Sequence, residues 1–183
     1  KEKVILSLGR LNWIKGFDTL LPAFANVLKQ EKDVTLVVAG PDGGYKKEID
    51  KFIEKLNLKE KVLYTGILEG KEKVAALLES DVFVLPSFSE NFSVVAGEAM
   101  SLGLPIVMTK GVGISSLVEQ YGAGIVVEKG VEEVSLAILK ILQDPALAKK
   151  MGEAGKKLVE MEFEPKKIAI QMMNEYKEIL RSY

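Results

Sequence analysis

The stretch Val82-Phe83-Val84-Leu85, Pro86-Ser87-Phe88-Ser89-Glu90-Asn91-Phe92-Ser93, Val94-Val95-Ala96-Gly97-Glu98-Ala99-Met100-Ser101-Leu102, followed shortly by Ile106-Val107-Met108-Thr109, decides the fold. Its first and last four residues are too short for helices and too apolar for half-exposed strands, so they read as strands buried on both faces. The apolar segment between them, with Ser93 as N-cap, reads as a helix over 93–102. A buried strand, a helix and a second buried strand make a parallel crossover unit. The same alternation extends outward: strands at 4–8, 34–39, 62–65, 106–109 and 124–127, and helices at 17–30, 45–56 and 71–80. In the last of these, Val74, Leu77 and Leu78 mark the apolar face. Pro22 marks a kink or a later start of the first helix. Beyond Val127 the pattern is helical only, over 131–142, 146–160 and 165–180, with Ile168, Met172, Tyr176, Ile179 and Leu180 forming a stripe expected to pack on this core. Six such strands predict an α/β fold with a doubly wound six-stranded parallel sheet, order 3-2-1-4-5-6, plus extra C-terminal helices. In that order strands 1 and 4 are neighbours whose following loops diverge, so the ligand crevice is expected between loops 9–16 and 86–93.

Composition narrows the chemistry. The 183 residues carry 25 Lys+Arg against 26 Asp+Glu, a net charge of −1, with 48% hydrophobic residues and neither His nor Cys. Near-neutral, mixed charge gives no drive toward nucleic acid or an anionic membrane surface. Lack of His and Cys removes thiolate nucleophiles and the commonest residues of zinc sites and proton shuttles. No apolar run approaches the roughly 20 residues that span a bilayer, and the opening lacks a signal-peptide pattern, so the cytoplasm is the expected location. The chain length suits one large domain.

Only two of the 25 cations, Arg10 and Arg181, are arginines. Arg10 stands in the first loop, Gly9-Arg10-Leu11-Asn12-Trp13-Ile14-Lys15-Gly16, at the mouth of the expected crevice. A guanidinium fork and a mobile ammonium at Lys15 together suit a diphosphate. The plainer reading has Arg10 paired with a carboxylate and Lys15 solvated. Facing them, the helix that starts at Val94 offers unpaired amides to an anion. Glu98 is a carboxylate on a largely apolar helix and needs donors, either ribose hydroxyls or, in the plainer reading, backbone amides or a Lys. Gly97 beside it suggests close approach by another element or a ligand. Glu90 sits nearer the opening, as a contact for the group the diphosphate carries or as a solvated loop acid.

Gly9-Arg10 followed by Lys15-Gly16, then Glu90 and Glu98 as a Glu-seven-Glu pair, resembles the nucleotide-sugar-binding domain of retaining GT-B glycosyltransferases, the glycosyltransferase group 1 family, which includes glycogen-synthase-like enzymes. The motifs fall in family order after strands 1 and 4 and cover most of the chain. The resemblance implies a Rossmann-like domain over residues 1–183 that binds a UDP-, ADP- or GDP-sugar and uses no cofactor and no metal. It implies that Gly9, Arg10 and Lys15 hold the donor's distal phosphate. Glu90 would contact the sugar, and Asn91, Phe92, Ser93 and Val94 would form the anion-binding turn. Glu98 would bind the ribose. Tyr64-Thr65-Gly66-Ile67-Leu68 resembles the stretch whose backbone lines the base, at Gly66 and Ile67. Arg10, Lys15 and Glu90 would carry the catalytic electrostatics. Ala39-Gly40-Pro41-Asp42-Gly43 resembles the glycine-rich turn after strand 2.

Two positions depart from the family. Asn91 stands where Gly is usual, in a turn that Asn tolerates through left-handed dihedrals. In Gly111-Val112-Gly113-Ile114-Ser115-Ser116, serine replaces a frequent acid. Family members also have an N-terminal acceptor-binding domain that usually supplies a His. This chain has no His and opens without Met two residues before its first strand, so it is expected to be the donor-binding half of a larger hexosyltransferase, inactive alone. Neither G-x-G-x-x-G nor G-x-x-x-x-G-K-[ST] occurs, which disfavours a dinucleotide oxidoreductase and a P-loop NTPase. A GT-B sugar-nucleotide epimerase domain and a non-catalytic nucleotide-binding domain stay open.

Overall fold

The structure is a computed structural model that describes residues 2–181. In chain order the elements are β1 (Lys3–Leu8), a 3-10 turn (Trp13–Lys15), α1 (Phe17–Gln30), β2 (Val34–Ala39), α2 (Lys46–Lys55), β3 (Val62–Gly66), α3 (Gly70–Leu78) and β4 (Val82–Leu85). There follow α4 (Val94–Ser101), β5 (Ile106–Thr109), α5 (Ser115–Tyr121), β6 (Gly124–Val127), α6 (Val131–Gln143), α7 (Pro145–Glu162) and α8 (Pro165–Arg181). The six strands form one sheet, order β3-β2-β1-β4-β5-β6, with every neighbouring pair parallel. The predicted order is therefore the observed one.

The two-residue period of the strands sorts the core into two layers. Ile5, Val82, Val84 and Val107 point to one face, where Phe17, Leu20 and Phe24 of α1, Ile49 of α2 and Ile138 of α6 cover them. Leu6, Phe83, Leu85, Ile106 and Met108 point to the other, under Leu77 of α3, Ala96 and Met100 of α4, Val118 of α5 and Leu158 of α7. Thus β1 hands the chain to one face and the adjacent β4 hands it to the other, which opens a gap between their loops at the carboxyl edge.

Five expectations need correction. Only Leu77 of α3 is buried; Val74 and Leu78 are exposed, because α3 meets the core chiefly through that one side chain. The strands β3 and β6 are partly exposed, since each is an edge with a single neighbour. The segment Ser115–Tyr121 is helical although no helix was expected there. No residue of α8 is buried, so its stripe does not pack on this domain. Helix α1 begins at Phe17 and runs through Pro22, so the proline does not delay its start.

Candidate functional site

Gly16 caps the turn before α1 with φ 72°, and an added Cβ there would stand 2.0 Å from the Pro86 carbonyl oxygen. Only a glycine lets the β1 loop press its backbone on the β4 loop so closely. The Phe88 amide then donates to the Ile14 carbonyl at 2.8 Å, joining the two loops directly. From the far side, the Thr109 hydroxyl donates to the Ser87 carbonyl at 2.5 Å. The Glu90 amide donates to Gly111 O at 3.0 Å, and the Gly113 amide donates to Glu90 O at 2.7 Å. Loops after β1, β4 and β5 are therefore one hydrogen-bonded assembly, and the backbone of Glu90 is gripped at both ends.

Between these loops lies a cleft of about 450 Å³, lined by Arg10, Asn12, Ile14, Lys15, Ser89, Glu90, Asn91 and Phe92. Lys15 forms an ion pair with Glu90 Oε2 inside it. Arg10 is exposed and its side chain makes no hydrogen bond or ion pair to the described residues, so the reading in which it pairs with a carboxylate is not met. Gly43, in the turn after β2, lies so close to the Arg10 stem that an added Cβ would stand 2.7 Å from its Cγ. Helix α4 starts at the cleft rim: Ser93 is buried and its hydroxyl accepts from the Ala96 amide at 3.3 Å, while Val94 is exposed. The amides of Val94 and Val95 have no carbonyl to reach within the helix. Asn91 does not need the left-handed region expected of it; Asn57 is the only described non-glycine residue there.

Glu98 lies outside this cleft. It lines an adjoining groove of about 680 Å³ with Gly70, Lys71, Lys73, Val74 and Leu78 of α3. Lys73 donates to its Oε1 at 2.6 Å, while Oε2 is buried and has no hydrogen-bond partner among the described residues. The alternative reading, a Lys on Glu98, is thus met at one oxygen, and the other acceptor remains unused. No element approaches Gly97: an added Cβ would meet open space, so the expected close approach by another element is not found. Gly66 adopts φ 72°, its carbonyl accepts from the Gly40 amide at 2.7 Å, and the following Ile67 is exposed. Gly9 lies under Lys15, where an added Cβ would meet Cε at 3.2 Å.

Sequence reasoning did not single out Lys73, and no spacing rule links it to Glu98; α3 brings it there. It also left Trp13 unassigned, and Trp13 is exposed, its ring 5.6 Å from that of Phe88. Phe92 packs edge-on against Phe163 at 5.0 Å. A separate cavity of about 510 Å³ between α2 and β3 receives no loop from β1 or β4 and none of the candidate residues.

The family described as glycosyl transferases group 1 matches residues 1–158. The chain belongs to that family. Among its relatives, N-acetyl-alpha-D-glucosaminyl L-malate synthase of Bacillus anthracis is 30% identical over 182 residues, covering 98% of this chain and 46% of the relative. Sucrose-phosphate synthase from Thermosynechococcus elongatus superposes with a TM-score of 0.86 at 28% identity, over 100% of this chain and 46% of that one. The fold is shared with Anabaena HepE in complex with UDP-glucose, TM-score 0.82 at 24% identity, over 98% of this chain and 49% of that one. The chain spans about half the length of these proteins. No helix among its described residues is long and apolar enough to cross a membrane.

Proposed function

We propose that residues 1–183 form the donor-binding domain of a retaining hexosyltransferase whose other domain binds the acceptor. The observation that carries this reading is the free guanidinium of Arg10 in the cleft between the β1 and β4 loops, with the open amides of α4 at its rim. Family membership supports it, as does the structural likeness to a protein solved with UDP-glucose.

In this reading the diphosphate lies between Arg10, Lys15 and the start of α4. The free Oε2 of Glu98 accepts a ribose hydroxyl, and the backbone at Gly66 and Ile67 flanks the base. Glu90 accepts from hydroxyls of the sugar. As the bond from the anomeric carbon to the diphosphate breaks, charge builds on the leaving phosphate. Arg10, Lys15 and the α4 amides are already oriented to receive it. The acceptor oxygen attacks from the face the phosphate leaves, its proton passes to the departing phosphate oxygen, and configuration is kept. UDP, ADP and GDP remain the candidate nucleotides, and the acceptor is a sugar, glycan or lipid.

Calorimetry with UDP, ADP and GDP tests this. At least one should bind, and Arg10→Ala should weaken it about tenfold or more, the worth of a charge-assisted phosphate contact. The melting temperature should hold, since Arg10 has no protein partner to lose. Absence of binding by all three nucleotides would sink the reading.

A further inference from the structure

Two groups that the donor would use separately are bonded to each other within the chain: Lys15, for phosphate, and Glu90, for sugar. The pair is built in. The Lys15 stem lies across Gly9, and Glu90 is held by Gly111 and Gly113 through its backbone, so neither residue drifts out of reach. Their side chains are only 17% and 23% exposed, which leaves their mutual attraction less screened than that of a surface pair. Arg10 carries no such partner. The cleft therefore carries two cations, one of them neutralised within the chain.

A nucleoside diphosphate without sugar must draw Lys15 toward phosphate, and Glu90 is then left partly desolvated with nothing to replace the ammonium. A nucleotide still carrying its sugar brings hydroxyl donors to the same carboxylate as it takes the ammonium. Resting on the donor reading above, we propose that the Lys15–Glu90 pair sets the preference of this cleft for intact nucleotide sugar over spent nucleoside diphosphate. The pair makes tight binding of the diphosphate conditional on an attached polyhydroxylated group, and it favours release of the product once that group has gone. Glu98 cannot play this part, because its second oxygen can receive a ribose hydroxyl while Lys73 stays in place.

Glu90→Gln keeps the shape and the backbone grip while removing the charge. Isothermal titration of the native chain and the variant with UDP and UDP-glucose, ADP and ADP-glucose, and GDP and GDP-mannose reads the effect on whichever nucleotide binds. The sugar-free diphosphate should bind about fivefold tighter to the variant, the worth of one partly exposed ion pair, while the nucleotide sugar binds more weakly. A sugar-free diphosphate that binds the variant no more tightly than the native chain overturns the inference and leaves the donor reading standing. Failure of the native chain to bind any of the six overturns both. Glu90→Asp, which withdraws the carboxylate from Lys15 by one methylene, should shift the same ratio in the same direction and replaces the Gln variant if that does not fold.

Discussion

Gly16 and Gly113 hold the loops of the cleft at distances that no side chain permits. At Gly16 an added Cβ would meet the Pro86 carbonyl oxygen at 2.0 Å on a φ of 72°, and at Gly113 it would meet the Asn91 carbonyl oxygen at 2.1 Å. Gly16→Ala is expected to cost about 2 kcal/mol or more, left-handed strain and backbone clash together, read as a lower urea midpoint with unchanged slope. Among the candidate residues, the scarcity of arginine pointed to Arg10, and the structure leaves that guanidinium unpaired. Glu98 was legible because a carboxylate on an apolar helix demands partners. Its partner Lys73 was not, since one of the two lysines of α3 looks like the other until a second helix is placed beside it.

Patterns of apolar residues located the strands because a buried parallel strand must be apolar throughout its length. They were less informative about which helix faces are covered. Leu78 of α3 is 60% exposed although it has the spacing of a core residue. Periodicity states which residues share a face, and neighbours decide whether that face is covered. Helix α8 makes the same point at greater length: its stripe is regular, and none of it is buried. Removing residues 165–183 should therefore leave the melting temperature of the domain nearly unchanged. A drop of more than about 4 °C, the equivalent of roughly 1 kcal/mol or more, would mean the helix contributes to this core. Helix α7 behaves differently. Gly152 lies against the Gly103 carbonyl oxygen and Gly155 against Met100, so two helix-interior glycines allow α7 to seat closely on α4 and the turn after it.

For the molecule as a whole, pH should act at both ends of the scale through residues outside the cleft. The Asp42 carboxyl lies below its ordinary value of 3.8, chiefly because it accepts from the Gly44 amide and then from that of Lys46. Its contribution to stability is present above pH 3.8 and is lost as pH falls below that value. Asp42→Asn should flatten the acid limb of a melting-temperature profile in that range. Burial, and after it the Asp50 carboxylate, pushes the Tyr64 hydroxyl above its ordinary value of 10.0. The unfolded chain would ionise there before the folded one, so stability falls as pH rises beyond 10.0, and Tyr64→Phe should lessen that fall.

Strand order, the two apolar layers and the pair of loops that meet at the carboxyl edge were determined by the amino-acid sequence alone. Each follows from local rules: buried strands are apolar, crossovers are right-handed, and adjacent strands whose loops diverge leave a gap. Only the tertiary structure decided that Arg10 stands free while Lys15 holds Glu90, that Lys73 occupies half of Glu98, and that α8 leaves this core uncovered. Ion pairs and covered faces are made by residues far apart in the chain, and their distances exist only once the layers have packed.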